Sequence, residues 1–186
     1  MKPIPGVRVT LICPDVYTPY SGMLPGFVAG HYAFDDIHID LAVLARFASA
    51  RLFVDEVVGI DPDNKRILCA NQPDVPYDVA SINVGSTPNT VDVPGAADVV
   101  VPVKPISRFA ARWDSLSTSL KARRDGLKLG VVGGGAGGVE LALAVNHRLR
   151  SMQTGLDAKA IEIHLATQES DILTSHNCRT SAALNY

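Results

Sequence analysis

The chain has 186 residues, 47% of them hydrophobic, enough for one large domain or two small ones. Its 17 basic and 19 acidic residues leave a net charge of −2 with no long run of either sign, so it lacks the electrostatic footprint of a nucleic-acid binder. No stretch reaches about 18 uncharged apolar residues, so no transmembrane segment is predicted and only peripheral membrane contact stays open. Met1 to Gly6, with two prolines, lacks the pattern of a signal peptide. Cys13, Cys69 and Cys178 lie far apart without metal-ligand spacing, which predicts no metal site and a reducing, cytoplasmic setting.

Val7 to Ile12 alternates and is β-branched, which reads as a strand ending at Cys13-Pro14-Asp15. Asp15 lies two residues past the tip, where an acid can meet a ribose in a dinucleotide-binding sheet or simply serve a turn. Thr18 to Tyr32 is rich in proline and glycine yet apolar and aromatic. Gly22, Gly26 and Gly30 with Pro25 favour a loop, packed on a ligand ring or on the core. His31 reads as a structural histidine.

Asp40 is a good N-cap for a helix burying Leu41, Leu44, Ala45 and Ala48. Arg51 to Val54, Val57 to Ile60 and Arg66 to Cys69 read as strands, the last two joined by the turn cluster Asp61 to Asn64 in a small antiparallel meander. Tyr77 to Val84 is a further predicted strand, stopping at a loop from Gly85 to Pro94. Pro105 suits the start of a helix whose stripe is Ile106, Phe109, Ala110, Trp113, Leu116 and Leu120. Lys121, Arg123 and Arg124 read as its solvated end.

Leu129 to Val132, then Gly133-Gly134-Gly135-Ala136-Gly137-Gly138, then Val139 to Val145 give strand, glycine turn and helix in the order a dinucleotide site requires. Read as G-x-G-x-x-G, Gly133 makes the tight turn, Gly135 admits a pyrophosphate and Gly138 lets helix and strand approach. The helix N-terminus offers free N–H groups to an anion. Ile161 to Ala166 is the second strand of this βαβ unit. It ends in Thr167-Gln168-Glu169, with no acid at the tip itself and no arginine for a 2′-phosphate, so the choice between NADH and NADPH stays open.

In this order, the strand ending near Cys13, Pro19-Tyr20-Ser21-Gly22-Met23-Leu24-Pro25-Gly26, the meander, Gly85-Ser86-Thr87-Pro88 and Val131 to Glu140 resemble the pyridine nucleotide-disulfide oxidoreductase superfamily. Within it they are most similar to the type II NADH dehydrogenase branch, especially the flavin domain joined to selenide, water dikinase. The resemblance implies an α/β Rossmann-like fold: residues 1–125 as part of an FAD-binding domain and 126–186 as the start of an NAD(P)-binding domain. It implies that Gly85, Ser86 and Thr87 lie along FAD, that Val57 lies near the adenine, and that Tyr20 and Ser21 face the flavin. Lys104 matches a position near the cofactor, though a snorkelling surface lysine explains it equally. Gly133, Gly135 and Gly138 carry over to the NAD(P)H site, and Thr167, at the end of the second strand, is a further candidate there. Glu140 carries over to the nicotinamide end, although a first-turn glutamate also suits the helix dipole.

The chain departs from the family pattern in two ways. The family's first strand, glycine motif and helix should precede Val7, and a βαβ unit needs roughly 30 residues. The second domain also stops after two strands. The expectation is therefore a fragment, incomplete at both ends, of a longer enzyme, with strand edges that favour aggregation. The chain also lacks a close cysteine pair, so electrons leave to a quinone or another small acceptor rather than through a dithiol. The resemblance implies hydride transfer from nicotinamide to flavin, with no catalytic acid or base demanded. The competing reading is a non-catalytic nucleotide-binding remnant or interaction module that no longer holds FAD.

Overall fold

The computed structural model describes residues 4–86, 93–121, 126–152 and 161–174, with the side chains of Ala97 and Lys121 left aside. In chain order the elements are β1 (Thr10–Cys13), β2 (Tyr17–Pro19), α1 (Leu24–Ala29), β3 (His38–Asp40), α2 (Leu41–Phe47), β4 (Arg51–Val54), β5 (Val57–Asp61), β6 (Arg66–Cys69), β7 (Val75–Pro76), α3 (Ala96–Val99), α4 (Ile106–Lys121), β8 (Leu127–Val132), α5 (Ala136–Ser151) and β9 (Ile161–Ala166). They form two compact units. One holds the residues through Tyr20 and His38–Ser86, the other Ser21–Ile37 and the described residues from 93 onward.

In the first unit β1 pairs with β4 in parallel, Thr10 opposite Arg51 and Cys13 opposite Val54. The predicted strand from Val7 is shorter than expected, because only Val9 carries the pairing back, accepting from the Arg51 N–H at 2.9 Å. Asp40 caps α2 as predicted, its Oδ1 accepting the N–H groups of Ala42 and Val43 at 2.8 and 3.0 Å. Only Leu41 and Ala45 of the predicted stripe are buried. Leu44 and Ala48 are exposed, because this seven-residue helix has only one edge against the strands.

The meander forms as expected: β6 pairs antiparallel with β5 and then with β7. The Asp61 carboxylate accepts the backbone N–H of Asn64 at 3.0 Å and its side-chain amide at 2.8 Å, closing the turn. The predicted strand Tyr77 to Val84 is not a strand. A strand needs a laddering neighbour; the Tyr77 N–H donates to the Lys65 carbonyl at 3.0 Å, but beyond it the described residues form no ladder with the segment, leaving Val79 90% exposed.

The second unit has the larger core. Phe109, Ala110, Trp113 and Leu120 of α4 are buried as the stripe predicts, with the Phe109 and Trp113 rings 6.4 Å apart and nearly parallel. Ile106 and Leu116 are half-buried. Leu24, Phe27, Val28 and Ala29 of α1 join Leu141, Ala144, Val145 and Leu149 of α5 in the same cluster. The stretch predicted as a loop is thus a short helix, with Pro25 in its first turn, where a missing N–H costs nothing. Gly26 seats the Tyr32 ring: a Cβ there would overlap it. Gly30 ends the helix at φ 87°, with the Arg148 guanidinium against it. The His31 and His147 rings lie 5.2 Å apart on the exposed side of this contact.

Candidate functional site

The strand–turn–helix of the second unit is built as the sequence predicts. β8 and β9 are parallel over six residue pairs, from Leu127 opposite Ile161 to Val132 opposite Ala166, with α5 between them in sequence. Gly133 turns out of β8 at φ 127°, a conformation glycine adopts freely, and its N–H donates to the Ala166 carbonyl at 2.8 Å. Gly135 is the N-cap of α5. A Cβ on Gly138 would strike the Gly133 carbonyl, whereas one on Gly135 or Gly137 would meet nothing within 4 Å. Gly138 therefore permits closure of helix on loop, while Gly135 and Gly137 present bare backbone to open space.

A crevice of 320 Å³ lies at the carboxyl ends of the two strands, lined by Gly133, Gly134 and Gly135 on one side and Thr167, Gln168 and Glu169 on the other. The first turn of α5 contains no acid, so no carboxylate of its own offsets the free N–H groups and partial positive charge at that end. That arrangement suits a diphosphate. Thr167 Oγ1 stands 2.6 Å from where a Cβ on Gly134 would be, and the Leu173 N–H donates to the Gly134 carbonyl at 2.8 Å. These two contacts hold the segment after β9 against the glycine loop.

Glu140 is the fifth residue of α5, one position beyond the first turn expected of it, exposed and outside the crevice lining. The register of the helix decides this, because it begins at Ala136. Lys104 is half-buried before the cis peptide to Pro105. A larger hollow of 520 Å³ beside α4, lined by Asp98, Val99 and Arg112, contains none of the predicted site residues.

In the first unit Asp15 and Val57 follow the carboxyl ends of the paired strands β1 and β4, and both are exposed. Gly85 has φ 74° and, with Ser86, lies in the exposed segment that follows β7. Thr87, Pro88, Arg123, Arg124 and Cys178 lie outside the described residues. Tyr20, at the end of this unit, is exposed, as is Ser21 at the start of the other.

The residue that sequence reasoning missed is Asp55, 6% exposed between β4 and β5. Its carboxylate accepts the N–H groups of Glu56, Asn71 and Gln72 at 2.8, 2.9 and 2.7 Å and the Asn71 side-chain amide at 2.9 Å. The Asn71 side chain first, then these backbone donors, hold its pKa down at about 2. Asp55 N–H also donates to the Cys13 carbonyl at 3.0 Å, so one residue joins the strand ends to the meander. Burial, with Asp15 nearby, raises the Cys13 thiol above its ordinary value, which leaves it a poor nucleophile. Among the described residues no three potential ligands cluster as a metal site would require.

Residues 4–185 match the pattern of the family described as Pyridine nucleotide-disulphide oxidoreductase. The chain belongs to that family. Its fold is shared with NDH2 from Plasmodium falciparum in complex with NADH, at TM-score 0.74 and 19% identity over 94% of this chain and 40% of that one. A CoADR-RHD from Bacillus anthracis gives TM-score 0.69 and 18% identity over 95% of this chain and 31% of that one. The ferredoxin reductase of the CYP199A2 system from Rhodopseudomonas palustris gives TM-score 0.69 and 18% identity over 95% of this chain and 40% of that one. No curated protein matches the chain. Members of the family are mixed α/β proteins of Rossmann-like architecture, and this chain spans 31–40% of the length of these three structures. Among the described residues no helix is long and apolar enough to cross a membrane.

Proposed function

We propose that this chain carries the nicotinamide-dinucleotide site, and part of the flavin site, of an FAD-dependent NAD(P)H oxidoreductase. Gly133, Gly135 and Gly138 would hold the nicotinamide dinucleotide, which would supply hydride to a flavin, with a quinone or another small acceptor taking the electrons. The carrying observation is the glycine loop. Gly138 packs on the Gly133 carbonyl while Gly135 and Gly137 stay open, so backbone donors and the N-terminus of α5 can meet a pyrophosphate directly. Gly133, Gly135 and Gly138 bind the dinucleotide, Thr167 fixes the crevice wall, and Glu140 lies toward the nicotinamide end.

The rings supply the redox chemistry when bound, while the protein aligns them and excludes water. Asp15 and Val57, at the carboxyl ends of β1 and β4, fit the adenosine end of FAD, with Tyr20, Ser21, Gly85, Ser86, Thr87 and Lys104 assigned to the same cofactor by the resemblance. The described residues of the first unit contain no strand–glycine–helix turn of the kind that would hold the flavin pyrophosphate. The domain division proposed is 1–125 for flavin and 126–186 for nicotinamide. The Pro19 to Gly26 motif further suggests the type II NADH dehydrogenase branch, including domains joined to selenide, water dikinase, in a cytoplasmic setting.

Absorbance of the purified chain with added FAD, then NADH without oxygen, tests this. A flavin spectrum that bleaches on NADH supports the full reading. Absence of flavin, with NADH still raising the unfolding temperature, restricts the reading to the Gly133 site. Val79, Ile82 and Val84 are exposed, with no strand beside them among the described residues, which favours that restricted outcome.

A further inference from the structure

We propose that His31 and His147 form an open site for a tetrahedral divalent metal ion such as Zn²⁺, independent of the dinucleotide crevice. His31 follows the glycine that ends α1, and its N–H donates to the Gly26 carbonyl at 2.9 Å. His147 belongs to the later half of α5. The two helices pack together within the second unit and share one core cluster that includes Phe27, Val28, Val145 and Leu149. Packing therefore sets the distance between the two histidine backbones.

The ring centroids are 5.2 Å apart and the ring planes make an angle of 45°. Rings that only pack on one another favour offset-stacked or edge-to-face arrangements, and 45° is neither. A shared ion accounts for the spacing. An imidazole nitrogen binds zinc at about 2.0–2.1 Å and lies about 1.1–1.2 Å from its ring centre, which puts the ion about 3.2 Å from each centroid. At the tetrahedral angle the centroids are then about 5.2 Å apart, against about 4.5 Å at the right angle of a square-planar shell. The observed separation matches the tetrahedral case. Both side chains are exposed, so one nitrogen of each ring is free to turn toward the shared point and water can reach the ion there. A closed structural site takes four protein ligands and a catalytic one three, and the described residues offer no such group. Two imidazoles instead hold an ion whose remaining positions stay with water. The Arg148 guanidinium, which follows His147 in the chain and lies against Gly30, repels a dication, so the ion is held weakly and exchanges.

Titration of the full chain with Zn²⁺, followed through the histidine ring C–H signals in NMR spectra, tests the assignment. The His31 and His147 signals are expected to move together along one binding curve while those of His38 and His164 stay in place. Saturating Zn²⁺ raises the unfolding temperature, because the ion joins the end of α1 to α5 only in the folded chain. His31→Ala and His147→Ala each weaken binding at least about tenfold and remove most of that rise. Without metal both variants unfold near the wild-type temperature, since both rings are exposed. Zn²⁺ that leaves the two signals unmoved, that moves only one of them, or that binds either variant as tightly as wild type overturns the site.

Discussion

The molecule contains two parallel strand pairs, β1 with β4 and β8 with β9, and their carboxyl ends are finished in different ways. At the end of β8 three glycines bring a helix N-terminus against the strand and leave bare backbone facing a crevice. Beside the end of β4 the Asp55 carboxylate instead gathers the N–H of Glu56 and, from the segment after β6, those of Asn71 and Gln72, which ties the strand to the meander. The same parallel pairing is therefore finished by open backbone in one place and by a carboxylate-tied corner in the other. What decides is whether the free N–H groups are left to a ligand or consumed by a side chain.

The sharpest way to break this comparison is Gly138→Val. Its side chain would collide with the Gly133 carbonyl, and NADH binding is expected to fall by at least about a hundredfold, while amide exchange in β5 and β6 stays as in wild type. Normal NADH affinity in this variant would show that the loop is not the binding element. Next comes Trp113→Ala, which empties a site only 4% exposed in the larger core. Urea unfolding of the second unit should show a loss of about 3–5 kcal/mol, with the Asp55 corner undisturbed. A similar loss of protection at Asn71 and Gln72 would show that the two units unfold as one.

The smallest effect is read by pH. Asp55 titrates at about 2 in the folded chain, below its unfolded value of roughly 4, so the unfolded state takes up the proton first. Its contribution is complete above the unfolded value and is lost as pH falls through the folded one. Acid titration followed by the Asn71 and Gln72 amide signals should show the corner opening in that window, and Asp55→Asn should remove the dependence. Opening near neutral pH would assign the corner's stability to another group.

Much of the second unit was legible because its signals are local. The glycine spacing, the α4 stripe and the alternation in β9 each lie within about one element's length. The Asp40 cap and the Asp61 turn in the first unit were legible for the same reason. α1 was not, because six residues containing a proline and a glycine have little helical preference of their own. Leu24, Phe27 and Val28 make that helix by packing on α4 and α5, far along the chain. Tyr77 to Val84 failed in the opposite sense: its local pattern is right for a strand, but a ladder requires a second chain segment. Asp55 gave no sign in sequence, since its partners other than the adjacent Glu56 are 16 and 17 residues away. At the candidate site, the glycines could be named from spacing, whereas the bond from the Leu173 N–H to the Gly134 carbonyl joins positions far apart in the chain that no local spacing encodes.

The two amides that clasp the glycine loop, Gly133 to Ala166 and Leu173 to Gly134, are bonds of the chain to itself. They tie the loop to the end of β9 and to the segment beyond it, so a change in either segment is passed to the backbone that lines the crevice.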